Sequence, residues 1–216
     1  MGVTTPPYRI ETERLVIRCY DPRDAPRLKA AVDASVDHLL PFMPWARSAP
    51  QPVEETVALL RSFRAQFDRD ENYIYGVFTP DESEVIGGTG LHKRSNEGSL
   101  EIGYWVAASS LGQGIATELT AVLTRVGFEL CGLDRVDLQI EPDNERSLKI
   151  PNKLGFTLEG RLRRRLDPHV DGGPWRDSML YTMVVDELAT SPCLGYDYVA
   201  FDVGGTRMIA QPGSAL

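Results

Sequence analysis

The chain has 216 residues, of which 42% are hydrophobic and 25% charged, and its formal net charge is −8. That length suits one domain with a real core. The acid excess argues against nucleic acid as a partner, because phosphate binding needs clustered Lys and Arg; it is compatible with a cationic amine. No run of about eighteen apolar residues occurs, which argues against a membrane span. Met1–Ile10 lacks the apolar stretch of a signal peptide, so a cytoplasmic protein is expected. Cys19, Cys131 and Cys193 form neither a CxxC nor a Cys/His metal pattern, so they read as buried reduced thiols and no metal is expected.

Glu13 to Tyr20 reads as a strand, with Leu15 and Ile17 alternating with Arg14, Val16 and Arg18. Asp21 then caps a helix with Pro22 at its first position. That helix turns Leu28, Ala31, Val32 and Val36 to a core and breaks at Leu40-Pro41-Phe42-Met43-Pro44-Trp45. Pro52 and Glu54-Glu55 open a second helix, with Val53, Val57, Leu60, Phe63 and Phe67 on one face. Tyr73–Thr79 and Glu84–His92 read as strands joined at Asp81-Glu82-Ser83. Ser99–Val106 follows an Asn96-Glu97-Gly98 turn. Three strands without helices predict an antiparallel meander.

The pattern then changes. Gly112–Leu130 reads as a helix with Ile115, Leu119, Val122, Leu123, Val126 and Leu130 on one face. Arg135–Glu141 alternates as a strand, and Asn144–Leu154 reads as a short helix stopped by Gly155. Phe156–Arg163 and Met179–Val185 read as the last strands, around a polar loop from Asp167 to Arg176. This order predicts a mixed α/β sheet with helices on both faces. Residues 1–189 form the expected domain. Residues 190–216 read as a carboxy-terminal extension, docked or disordered. Within it, Phe201-Asp202-Val203-Gly204-Gly205-Thr206 looks like the phosphate motif of a sugar kinase, but too few residues follow it to build such a domain.

The strongest chemical signal lies between the Ser99–Val106 strand and the following helix. A helix N-terminus offers unpaired N–H groups and partial positive charge, and glycines let a phosphate approach the backbone. Gly112-Gln113-Gly114 supplies both. Alone it is a weak motif. No Gly-Lys-Ser/Thr follows, and Thr117 stands where a dinucleotide fold needs a third glycine.

Further stretches change its meaning. They are Thr12-Glu13-Arg14-Leu15-Val16-Ile17-Arg18, Leu40-Pro41-Phe42-Met43-Pro44-Trp45, Ile102-Gly103-Tyr104-Trp105-Val106, Gly112-Gln113-Gly114-Ile115-Ala116-Thr117, Asn144-Glu145-Arg146-Ser147 and Lys153-Leu154-Gly155-Phe156-Thr157-Leu158-Glu159-Gly160. In this order, across roughly residues 8 to 188, the sequence resembles the GNAT superfamily of N-acetyltransferases, in the Rim-type branch that acetylates ribosomal-protein N-termini. The resemblance implies the GNAT fold: a central twisted, mixed, mostly antiparallel sheet splayed between two parallel strands. It implies acetyl-CoA as co-substrate and a primary amine as acceptor, on a peptide N-terminus or a small molecule, in a monomer or homodimer.

The resemblance also implies roles. The pantetheine arm would pair with backbone groups of Tyr104, Trp105 and Val106. The pyrophosphate would sit on Leu111, Gly112, Gln113, Gly114, Ile115, Ala116 and Thr117. Asn144 would bond the pantetheine arm. Lys153 would reach the CoA phosphates, or simply suit the helix dipole. Two positions depart from the pattern. Leu111 replaces a polar residue of the loop, and Pro151 stands where many relatives place a tyrosine acid. Ser147, one turn before Pro151, is the implied proton donor; the bland alternative is a surface serine bonded to its own helix. Val106 N–H is the implied oxyanion donor. Glu101 and Glu141 are the candidate bases, with Glu101 ahead and Glu159 a further possibility. Phe42, Trp45 and His169 are candidate acceptor contacts. His38 and His92 read as packing or surface histidines. A non-catalytic CoA-binding sensor of the same fold is the alternative function, favoured by Leu111 and Pro151.

Overall fold

In the computed structural model, which describes residues 5–93, 98–170 and 172–209, the first strand pair is set by a tight reversal. Arg9–Glu11 (β1) and Val16–Cys19 (β2) pair antiparallel, Ile10 opposite Ile17. Thr12 ties the turn: its hydroxyl accepts from the N–H groups of Arg14 (3.2 Å) and Leu15 (3.0 Å). The strand expected from Glu13 therefore begins only at Val16. Asp21 Oδ1 accepts from Arg23 N–H at 2.8 Å and caps a 3-10 turn over Pro22–Asp24. Ala25–Asp33 (α1) follows. The single helix expected through Val36 is divided. Ser35, at φ −118°, leaves the helical range and its hydroxyl returns to Ala31 O at 2.6 Å, so Val36–Leu39 (α2) is a separate turn.

Val53–Asp68 (α3) leads into the meander of Tyr73–Phe78 (β3), Val85–His92 (β4) and Ser99–Val106 (β5). The turn expected at Asn96-Glu97 lies outside the described residues. Ile115–Glu129 (α4) crosses to Arg135–Ile140 (β6), and Glu145–Leu154 (α5) leads to Thr157–Leu166 (β7) and Arg176–Val184 (β8). Val199–Phe201 (β9) and Arg207–Met208 (β10) come from the tail.

Among the described residues, all ten strands share one sheet in the order β10-β9-β1-β2-β3-β4-β5-β6-β8-β7. Every neighbouring pair is antiparallel except β5 and β6. Helices cover both faces. On one, α1 and α3 pack through Leu28 and Leu60 against Val16, Tyr20, Phe78 and Val85. On the other, α4 is buried almost all round, through Leu119, Val122, Leu123 and Val126. Two of its buried hydroxyls are satisfied within the helix: Thr120 Oγ1 donates to Ala116 O (2.7 Å) and Thr124 Oγ1 to Thr120 O (2.8 Å).

The tail continues the sheet. Ile10 of β1 faces Ala200 of β9, and Tyr198 Oη donates to Glu129 Oε2 of α4 at 2.9 Å. The Asp202-Val203-Gly204-Gly205-Thr206 stretch is the hairpin turn between β9 and β10. Asp202 Oδ1 accepts from the N–H groups of Gly204 and Thr206 (2.8 Å each), and Gly205 takes φ +78°. Turn geometry accounts for the motif that resembles a phosphate loop.

Cys19, Cys131 and Cys193 are all buried and free. Burial pushes Cys19 and Cys131 up to about 12 and raises Cys193 as well. The thiolate is the reactive form, so a disulfide reagent at neutral pH should leave all three untouched in the native protein and react with all three after denaturation. A native thiol that reacts within seconds would contradict this packing.

Candidate active site

The site begins with a break in the sheet. The parallel ladder between β5 and β6 holds only three pairs: Ser99 with Arg135, Leu100 with Val136 and Glu101 with Asp137. Beyond them β5 continues to Val106 and β6 to Ile140. The strands part there, and among the described residues the β6-facing edge of β5 has no strand partner over residues 102–106. Peptide groups of an antiparallel strand point alternately to its two sides. Ala107 N–H donates to Ile86 O at 2.9 Å, and Trp105 O lies against Gly87 of β4. Trp105 and Gly103 therefore turn their backbones to β4; Tyr104 and Val106 turn theirs to the gap. That differs from the expectation for Trp105, whose backbone does not face the gap. Val106 O is held by His38 Nε2 of α2 at 2.9 Å, so its N–H is the group directed at the gap.

The glycine loop sits at the open end of that gap. A 3-10 turn over Ala108–Ser110 leads to Leu111, which is 38% exposed and extended at φ −65° and ψ 147°. Gly112 at φ +77° and Gly114 at φ +78° both take the left-handed region that side chains resist. Gly114 is the N-cap of α4, so the N–H groups of Ile115, Ala116 and Thr117 lack intrahelical acceptors. Arg14, absent from the sequence-derived site residues, braces this loop. Its Nη1 donates to Gln113 O at 3.1 Å, and its Nε to Glu118 Oε2 at 2.9 Å. Thr12 Oγ1 donates to the other Glu118 oxygen at 2.6 Å. The signal was present in the Thr12-Glu13-Arg14 stretch, but only the fold brings it to α4.

Across the gap, Asn144 is the N-cap of α5, and its Oδ1 accepts from Ser147 N–H at 3.2 Å. Tyr104, alternating with Gly103 and Trp105, points its side chain to this face. Its hydroxyl is buried and reaches no partner at hydrogen-bond distance among the described residues. Burial pushes the phenol up to about 12, and the Ser147 hydroxyl alongside pulls the other way. The sequence pointed only to the backbone of Tyr104; its side chain belongs to the same neighbourhood as Ser147. Pro151 is buried inside α5. Lys153 is exposed in the last turn, about 9 Å along the axis from Ser147.

The opposite face of β5 opens into a cleft of about 650 Å³ between the sheet, α1 and α3. Its walls include Trp45, Trp105, Phe63, His92 and Glu101. Trp45 is 45% exposed and meets Trp105 edge-on, ring centres 5.9 Å apart. Met43, not Phe42, lines the cleft beside Trp45. Glu101 stands where β5 and β6 part, and its Oε2 accepts from Gln139 Nε2 of β6 at 2.7 Å. Glu141 is differently placed. Arg176 Nη1 pairs closely with it, and His169 Nε2 lies 3.5 Å from its other oxygen. That ion pair occupies the carboxylate, and His169 is drawn to it, outside the cleft walls. Glu159 is exposed and lies 3.8 Å from Arg135. Among the described residues, no group of three or more His, Cys, Asp or Glu side chains could hold a metal ion.

Known proteins resemble this chain in sequence and fold. Residues 14–157 match the family model for the acetyltransferase (GNAT) domain. The chain is 27% identical over 176 residues to the uncharacterized N-acetyltransferase YoaA of Bacillus subtilis, covering 81% of this chain and 96% of that one. It is 26% identical over 187 residues to the [ribosomal protein uS5]-alanine N-acetyltransferase of Escherichia coli, covering 84% and 93%. Among solved structures, Mycobacterium smegmatis RimJ in complex with CoA-disulfide superposes with a TM-score of 0.76 at 27% identity, covering 88% of this chain and 95% of that one. With the family model spanning more than half of its length, the chain belongs to the GNAT family of N-acetyltransferases.

Proposed function

We propose that this acetyltransferase moves the acetyl group of acetyl-CoA to a primary amine, on a protein N-terminus or a small molecule, by direct attack on the thioester. The observation that carries this reading is the unpaired edge of β5 ending at a glycine-lined helix N-terminus. An extended amide-bearing arm adds to such an edge as a strand would. Its pyrophosphate then meets the N–H groups at the start of α4. Solved relatives that hold CoA support the reading, as does the protein substrate in the name of the E. coli relative. A cytoplasmic setting fits both substrates.

The residues divide the chemistry between the two faces of β5. The amides of Tyr104 and Val106 face the gap: that of Tyr104, nearer Glu101, can donate to the developing oxyanion, and that of Val106, at the loop end, to the arm behind it rather than to the oxyanion expected for it. Ser147, with Tyr104 Oη beside it, lies on the α5 side to protonate the departing thiolate. Glu101 lies on the cleft side, where it attracts a cationic amine. Asn144 holds the first turn of α5 and hence the position of Ser147. Lys153 supplies positive charge for the CoA phosphates from the far end of α5.

Two variants test this. Gly114→Glu adds a carboxylate where φ is +78° and where the phosphate would sit. It should weaken acetyl-CoA binding by about 100-fold or more in calorimetry, from like charge and a left-handed strain of about 1–2 kcal/mol; unchanged affinity would overturn the loop assignment. Ser147→Ala should keep the acetyl-CoA Kd while kcat falls by about tenfold or more. A kcat equal to the wild type removes Ser147 from the mechanism. Tight acetyl-CoA binding with no thiol release across peptides and small amines would favour the sensor reading.

A further inference from the structure

His92 reads in the sequence as a packing residue, yet its ring is held in a defined pose on the floor of the cleft. It lies across two glycines. A Cβ on Gly90 would stand 2.7 Å from both its Cε1 and its Nε2, and one on Gly103 would stand 3.1 Å from its Nε2. Any larger residue on β4 or β5 at these positions would displace the ring. Asn72, just before β3, holds the other edge: Asn72 Oδ1 is 2.8 Å from His92 Nδ1. The amide itself is oriented, because its Nδ2 faces Gln66 Oε1 at 3.4 Å. A carbonyl oxygen only accepts, so Nδ1 carries the hydrogen. In the neutral ring the lone pair is then on Nε2, the atom over Gly103. His92 is also the direct cross-strand partner of Glu101, so both side chains stand on the cleft face where β5 and β6 part.

We propose that His92 Nε2 is the proton acceptor for the incoming ammonium, with Asn72 as the positioning residue that fixes its tautomer and Glu101 as the charge that draws the ammonium in. This rests on the acetyl-transfer reading above. The amine attacks only when neutral, so one N–H proton passes to Nε2 first. The nitrogen then bonds the thioester carbon, and the tetrahedral species collapses with cleavage of the C–S bond. The second proton leaves the nitrogen, and the thiolate is protonated. Overall an ammonium and a thioester give an amide, a thiol and one proton, which the imidazolium releases to solvent.

Glu101 faces the ring from β5. Lys93 follows it on the chain, its Nζ bonded to Asp70 O. From α1, Lys29 and Asp33 line the cleft as an ion pair. The cleft-lining residues of α3, Thr56, Leu59 and Phe63, carry no charge.

The test uses the whole protein, an acceptor amine on which the wild type turns over, and rates measured across pH. His92→Phe keeps a ring over the glycines and removes the base. It should keep the acetyl-CoA Kd and lower kcat/KM for the amine by about 100-fold near neutral pH. The deficit should shrink as pH rises, because the free amine needs no base. Asn72→Asp places a carboxylate on Nδ1 and should move the acidic limb of kcat/KM upward by about one pH unit. A His92→Phe deficit that is absent, or constant across pH, overturns the proposal. If that variant fails to fold, an unmoved acidic limb in Asn72→Asp overturns it instead. A wild type that never binds acetyl-CoA would sink the acetyl-transfer reading itself, a separate result.

Discussion

Two parallel strands that pair for three residues and then part create everything this site uses. The pairing is forced to be parallel by topology: α4 carries the chain from the end of β5 back to the start of β6, as a crossover must. The ladder below Glu101 and Asp137 anchors both strands. Above it the twist of a ten-stranded sheet separates them, because β5 is held by β4 and β6 by β8. The backbone groups left facing the gap are strong hydrogen-bonding groups with no strand to meet. A ligand with regularly spaced amides satisfies them, and a strand from elsewhere in the chain would close the site.

From that break the rest follows by alternation along β5. Its peptide planes at Tyr104 and Val106 look into the gap. Side chains at Tyr104 and Ile102 pack towards α4 and α5, while Glu101, Gly103 and Trp105 look into the cleft under α1 and α3. One strand therefore presents three different surfaces. The neighbouring strand bears the cost. β4 contains Gly87, Gly88 and Gly90, which weaken a strand by losing more entropy on folding and packing less. Their neighbours explain the choice. A Cβ on Gly88 would stand 2.4 Å from the Trp105 indole nitrogen, and one on Gly87 would stand 2.5 Å from Trp105 O. The floor of the cleft is thin so that an indole and an imidazole can lie flat on it.

The features readable from the chain were those carried by local patterns. The α4 periodicity, the glycine entry to that helix and the meander before it all depend on neighbours a few residues apart. The readings that changed depend on distant partners. Val36 continues a helical pattern, but a Ser35 bond to Ala31 ends the helix first. Glu141 looks like a free strand-end carboxylate until Arg176, 35 residues later in the chain, pairs with it. The chain alone marks Trp105 as a backbone contact, since the register of β5 is not local information; pairing with Gly88 turns its peptide groups away. The tail strand β9 is only three residues long, too short to announce itself by alternation, and it forms because β1 offers an open edge. His92 looked incidental because neither Gly90, Gly103 nor Asn72 is recognisable as its support before the strands are in register.

Electrostatics gives the gap a direction. At the α4 end, positive potential comes from the N–H groups of Ile115 to Thr117. Leu111 adds none, and Arg14, half-exposed beside the loop, is largely matched by Glu118. Backbone dipoles thus supply most of the attraction for an anion there. At the other end, where the strands meet, Glu101 and His92 stand side by side on the cleft face. The two ends are separated by the unpaired stretch of β5, about 16 Å for five residues. On the proposed reading, an anionic pyrophosphate and a cationic amine go to opposite ends of this stretch rather than competing for one spot. An extended arm lying along β5 from the loop brings its reactive end towards Glu101 and His92. On the proposed reading, the place of proton removal and the place of phosphate binding are set by the same few residues of unpaired strand, one at each limit of it.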